Sequence, residues 1–148
     1  MSKVVALYHI VFCTKYRQMF INNDHREDLY RYIWSLLKKK GCYLVRISGV
    51  PNHIHMLIDL NPTVALSDLM RELKSSTSRW MAMNDKFPMF SGWAKEYYAA
   101  TLGVIDKDCI IEYIKSQQEH HLGRSFDEEI QDLCLHAGMS LYKDDFSI

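Results

Sequence analysis

Two histidines one residue apart, in His53-Ile54-His55, carry the clearest chemistry in the sequence. On a β-strand, residues i and i+2 project from the same face, so this spacing aims two imidazoles the same way from a rigid base. Imidazole ligates Mg, Mn, Zn or Fe, but two ligands do not complete a site, and a third must come from elsewhere in the fold. The same tripeptide also fits polar residues on the solvated face of a sheet. A second constellation lies downstream: Tyr113 and Gln117 are four residues apart and share one face of a helix, with His121 one turn further on. Gln117 offers an amide oxygen that would complete a two-histidine, one-amide site open to phosphate oxygen or water, and Tyr113 offers a hydroxyl nucleophile beside it. Equally, Tyr113 fits the buried side of an amphipathic helix and Gln117 its solvated side.

These groups meet only if the histidine strand and the tyrosine helix are neighbours, and hydrophobic periodicity says how they become so. Val4 to Thr14 alternates with Tyr8, Ile10 and Phe12 on one side and His9, Val11 and Cys13 on the other, the period of a first strand. Asp24 with Glu27 has the spacing of a capping box. Leu29, Ile33, Leu36 and Leu37 then recur at helical spacing, and Gly41 follows Lys38-Lys39-Lys40, which predicts a first helix. Tyr43, Val45 and Ile47 alternate up to Pro51-Asn52, and a second alternating run covers His53 to Asp59, an antiparallel hairpin. Ser67 to Asn84 carries Leu69, Met70, Leu73, Trp80 and Met81 as a second helix, which breaks down at Pro88. Tyr97 to Leu102 predicts a fourth strand. Gly103 introduces a third helix, capped near Asp106, apolar through Ile110, Ile111 and Ile114, and ending near Gly123. Ser125 with Glu128 caps a last short helix that stops at Gly138.

The order βαββαβ followed by helices is the split βαβ of a ferredoxin-like α+β fold, with strands one and three central and two helices on one face. Ile54, Met56 and Ile58 then lie under those helices while His53 and His55 point to the other face, which only the third helix remains to cover.

A length of 148 residues and 48% hydrophobic content suit one domain with its own core and exclude the large barrel and multidomain enzymes. Net charge is zero, yet residues 1–80 hold 12 of the 18 Lys and Arg and only 6 of the 18 acids. That basic half suits a phosphate backbone, although segregated surface charge has the same composition. No apolar run approaches the roughly 20 residues of a membrane span. Met1-Ser2-Lys3-Val4 enters the first strand without a cleavage site, so cytoplasmic residence and no membrane partner are expected. Cys13, Cys42, Cys109 and Cys134 show no metal or disulfide spacing and are expected to be buried thiols.

Several stretches together carry a family resemblance: Tyr8-His9-Ile10-Val11-Phe12 with Thr14-Lys15, Asn52-His53-Ile54-His55-Met56-Leu57, Leu69-Met70 to Leu73-Lys74-Ser75 with Ser78-Arg79, and Tyr113-Ile114 with Gln117. With these motifs the chain resembles the HUH-type single-domain tyrosine transposases of small insertion sequences. The resemblance covers about residues 4–121 and implies one transposase domain over 1–148, with a core of 4–121 and a C-terminal helical extension of 122–148. His120-His121 ahead of the last capping box resembles the extension of relatives associated with repetitive extragenic palindromes. In such enzymes a divalent ion, Mg or Mn, would be held by His53, His55 and Gln117. Tyr113 would cleave single-stranded DNA at hairpin-flanked element ends, leaving a 5′-phosphotyrosine link and a free 3′-hydroxyl. The resemblance places DNA contacts at Lys15, Arg17, Lys74 and Arg79. Tyr16 and Trp80 could stack on bases, although the spacing of Trp80 with Leu73 and Met81 also fits the core. It further implies a homodimer in which Tyr113 of one chain can serve the histidines of the other. The apolar run Val4-Val5-Ala6-Leu7 and the aromatic stretch Trp93 to Tyr98 are the candidate sheet edges for that contact.

Two readings compete. A domesticated, catalytically silent nucleic-acid-binding or regulatory relative would be favoured by loss of the tyrosine, a histidine or the helix ligand, and all four are present. For a zinc hydrolase using His53 and His55 with His120 or His121, no neighbouring Glu acts as an obvious general base.

Overall fold

The computed structural model describes residues 2–117 and 125–137. The chain divides into two compact units, 1–117 and 118–148. In the first, β1 (Leu7–Thr14) leads through a tight turn at Lys15–Arg17 to α1 (Arg26–Lys39), followed by β2 (Tyr43–Val50), β3 (His53–Asp59), α2 (Leu66–Met83) and β4 (Trp93–Thr101). A short turn at Val104–Asp106 then enters α3 (Lys107–Lys115). In the second unit, α4 spans Phe126–His136, and the Ser125 hydroxyl accepts from the Glu128 N–H as its capping box requires. His120-His121, the expected third-helix end near Gly123 and the stop at Gly138 lie outside the described residues.

The sheet has the order β2-β3-β1-β4 and every pairing is antiparallel, so β1 and β3 are central and the fold is the expected ferredoxin-like α+β arrangement. Alternation sorts its two faces. Ile10, Phe12, Ile54, Met56 and Ile58 form the main core with Leu29, Ile33 and Leu37 of α1 and Leu69, Met70 and Leu73 of α2. On the other face Leu7 and Leu57 pack with Ile114, Ile110 and Tyr113 of α3, which lies against β2 and β3. Each apolar stripe is thus buried once, and the histidine face receives the shorter cover.

Two glycines are required where they stand. Gly41 ends α1 with φ of +70°, a left-handed conformation that spares glycine the steric cost of a Cβ. Gly49 lies in β2 opposite Ile54, where a Cβ would collide with the His53 carbonyl oxygen and come within 3.1 Å of Ile54 Cα. Its missing side chain lets β2 approach the strand that carries the histidines.

Several boundaries differ from expectation. The β1 ladder starts at Leu7, leaving Val4 and Val5 exposed, and β1 is central rather than an edge, so the Val4–Leu7 run is not a pairing edge. The Asp24–Glu27 capping box does not form: the Asn22 side chain instead accepts from the His25 N–H at 2.9 Å, which delays the helix start to Arg26. β4 begins four residues before Tyr97, at Trp93. That ring packs 4.8 Å from Phe12, and its Nε1 donates to Thr77 Oγ1 at 2.8 Å. Within the described residues α3 runs to Lys115 and the backbone turns at Ser116, whose hydroxyl donates to the Glu112 carbonyl at 2.9 Å. Cys13 and Cys42 are buried, but Cys109 is exposed and Cys134 intermediate, so the expectation of four buried thiols fails at those two positions.

Candidate active site

The site grows from β3. Its alternation sends Ile54, Met56 and Ile58 into the main core and His53 and His55 to the opposite face, where both are buried. Their ring centroids are 5.2 Å apart. β1 supplies the floor beside them: Val11 is the registered partner of His55 and Cys13 that of His53. Two residues back along β1, His9 is also buried, and its Nε2 lies 3.0 Å from His55 Nδ1. On the other side of the pair, His53 Nδ1 is 2.7 Å from Asn52 Oδ1 in the hairpin turn.

α3 brings the hydroxyl. The Tyr113 ring stands edge-on to His55 at 5.7 Å and to His9 at 6.0 Å, anchored by its neighbour Ile114 in the small core of this face. The tyrosine helix thus lies over the histidine face of the sheet. Gln117, four residues on and just past the helix end, is buried, and its Nε2 donates to the Tyr113 carbonyl at 3.3 Å. That bond directs the amide nitrogen toward the helix backbone and leaves Oε1 on the other side.

Two imidazole nitrogens joined by an amide oxygen, the set expected from the sequence, would suit a hard or borderline divalent cation, since it contains no thiolate. Each imidazole also has its Nδ1 engaged by an outer partner, the arrangement that orients Nε2 for ligation.

A second feature lies on the other face of the sheet. Tyr97 is registered with Phe12, on the helix side, whereas Tyr98 is registered with Val11 on the histidine side. Between α2, the start of β4 and the Lys15–Arg17 turn runs a groove of about 880 Å³. Lys15, Arg17, Arg71, Lys74 and Lys95 line it, and its lining contains no acidic residue. Lys74 spends two of its three N–H donors on the carbonyls of Ala94 and Lys95, at 2.8 and 2.7 Å, and stands 5.4 Å from the Tyr97 ring. Burial holds its ammonium below the usual lysine range. Tyr16 and Arg17 take φ of 57° and 56°, a left-handed conformation costly for residues with a Cβ, and this presents their side chains at the groove mouth.

Of the residues expected to touch DNA, Lys15, Arg17 and Lys74 share this groove, as does Tyr16, whereas Arg79 lies outside it with its guanidinium on Ser76. Trp80 stacks on Tyr32 at 4.8 Å and packs against the main core, so the core alternative describes it. Arg71 and Lys95 were not singled out from sequence. Arg71 was findable, because Ser67, Arg71, Lys74 and Ser78 recur at helical spacing as a polar stripe on α2. His9 was visible on the correct face of β1, but only the β1–β3 register places it against His55.

Comparison with known proteins agrees with this architecture. Residues 2–117 match the family described as transposase, IS200-like, which corresponds to the first compact unit. The ISDra2 transposase TnpA of Deinococcus radiodurans is 24% identical over 117 residues, covering 76% of this chain and 84% of that protein. The transposase for insertion sequence element IS200 of Salmonella typhimurium is 29% identical, covering 76% of each. Among solved structures, a transposase from Deinococcus radiodurans has a TM-score of 0.60 at 24% identity, covering 79% of this chain and 95% of its own. A REP-associated tyrosine transposase bound to a REP hairpin has a TM-score of 0.61 at 14% identity, covering 82% and 75%. With the family match spanning most of its length, this chain belongs to the IS200-like transposases.

Proposed function

We propose that the protein cleaves and rejoins single-stranded DNA at hairpin-flanked element ends, with Tyr113 as nucleophile and His53, His55 and Gln117 as the ligands of a divalent metal. The observation that carries this reading is the Tyr113 ring set against His55 within one chain, on the one sheet face where two imidazoles are buried together. His53 and His55 each offer one ring nitrogen and Gln117 its Oε1. When bound, a Mg or Mn ion supplies positive charge to a phosphate oxygen as the displacement proceeds. Tyr113 Oη attacks phosphorus, forming the O–P bond as the bond to the 3′-oxygen breaks. The proton lost from Oη is balanced by the one that the departing 3′-hydroxyl gains. Attack by another 3′-hydroxyl reverses the step and rejoins DNA without an external energy source.

The groove supports DNA as the partner, because five cations and no acid line it. The hairpin in the REP-associated neighbour supports a folded DNA end as its occupant. A homodimer follows from the need to handle two ends. β4 stands at one edge of the sheet, and a monomer by light scattering at micromolar concentration in the presence of DNA would remove that part of the reading.

The deciding experiment is covalent capture of a labelled single-stranded oligonucleotide with Mn on a denaturing gel. Tyr113→Phe should abolish the adduct while leaving hairpin binding within about two-fold, since only the attacking oxygen is removed. His53→Ala and His55→Ala should lose the adduct and Mn binding together, and Gln117→Ala should lose less, because water can replace a neutral amide ligand. An adduct persisting in Tyr113→Phe assigns the nucleophile elsewhere.

A further inference from the structure

Neutral histidine carries one proton on either Nδ1 or Nε2, and only the bare nitrogen can ligate a metal. A strand with two imidazoles is therefore a metal site only while each ring keeps the nitrogen that faces the ion bare. In this protein each ring has its Nδ1 against a different protein atom. His53 Nδ1 is 2.7 Å from Asn52 Oδ1, and an amide oxygen only accepts, so the proton of His53 lies on Nδ1. The Asn52 amide is itself held in that orientation, because its Nδ2 donates to the Arg17 carbonyl at 3.5 Å. The reverse orientation would set two acceptors against each other.

His55 Nδ1 faces His9 Nε2 at 3.0 Å, a pair in which one ring donates and the other accepts. His9 is buried and wedged edge-on between Tyr98 at 5.7 Å and Tyr113 at 6.0 Å, so its ring has little freedom to turn. If His9 accepts, His55 has its proton on Nδ1 and a bare Nε2, matching His53.

We propose that His9 and Asn52 are positioning residues that hold His55 and His53 in the Nδ1–H tautomer, so that both present a bare Nε2 to a divalent cation. The inference rests on the metal-site reading above and assigns work to two residues outside the ligand set. A purely packing role for His9 would be served by any ring of similar size; this one requires its Nε2.

The test uses the full chain labelled with ¹⁵N-histidine. Without metal, two-bond ¹H–¹⁵N correlation spectra near neutral pH should show His53 and His55 as Nδ1–H with a pyridine-type Nε2. His9→Phe keeps the ring volume and removes the acceptor. It should release His55 from that tautomer and lower Mn affinity by about 10- to 100-fold in calorimetry. Asn52→Leu should do the same to His53. Asn52→Asp, which still accepts, should restore the His53 pattern. An Nε2–H signature for either ligand ring in the wild-type protein, or unchanged Mn affinity in a folded His9→Phe variant, overturns the proposal. If His9→Phe does not fold, the wild-type spectrum decides. Mn affinity unchanged in His53→Ala would defeat the metal-site reading instead, a result independent of the tautomer spectrum.

Discussion

At the scale of single residues, the site depends on side chains whose types are ordinary and whose placement is not. Tyr113 and Gln117 look like any aromatic and amide of an amphipathic helix until α3 is laid over β3, where one meets His55 and the other is buried a turn away. Tyr30 shows how far burial alone moves a group. Packed against the main core, its hydroxyl is pushed up to about 12 from an ordinary value of 10.0, chiefly by desolvation. With the folded value raised, the unfolded chain releases this proton first as pH climbs. The stabilising contribution is intact below pH 10.0 and is lost on the way to about pH 12. Denaturant unfolding at about pH 9 and about pH 11.5 should show the wild-type protein losing about 2 kcal/mol more than Tyr30→Phe, which has no proton to lose there. Parallel losses in the two proteins would show that Tyr30 titrates normally.

Elements were more legible than their ends. The alternation of Tyr8, Ile10 and Phe12 against His9, Val11 and Cys13, and of Ile54, Met56 and Ile58 against His53 and His55, fixed which strand faces carry polar groups, and the pairing follows it. Boundaries failed where a side chain competed with the backbone. Asn22 delays α1 through a local hydrogen bond that hydrophobic spacing does not register. The left-handed Tyr16 and Arg17 had no signal either, since neither residue type favours that conformation. Gly49 is the element-scale device most open to test. Because the atoms its Cβ would strike belong to the β3 backbone, they cannot rotate aside, and Gly49→Ala should cost about 1 to 3 kcal/mol in urea unfolding. The same variant should weaken Mn binding, since the collision is with the carbonyl of His53 itself. Wild-type stability would mean that the hairpin yields freely.

For the whole molecule, zero net charge hides a division of labour. The sequence shows a basic first half, and folding gathers Lys15, Arg17, Arg71, Lys74 and Lys95 from three separate stretches into one groove. If that groove holds DNA, a logarithmic plot of binding constant against salt should flatten by about 0.7 to 0.9 for each phosphate deprived of its cation. Arg71→Ala and Lys95→Ala should each flatten it by that amount, while Arg79→Ala, outside the groove, should leave the slope as it is. Equal slopes in all four proteins would move the DNA elsewhere. The sheet supplies the remaining consequence. Tyr97 faces the groove and Tyr98 the histidine side, so if DNA is gripped in the groove and cut at the histidines, a single strand is the partition between the two. Residues that choose the DNA can then drift through substitution without disturbing those that break it. On that reading, a lineage of such proteins is free to change its address while keeping its tool.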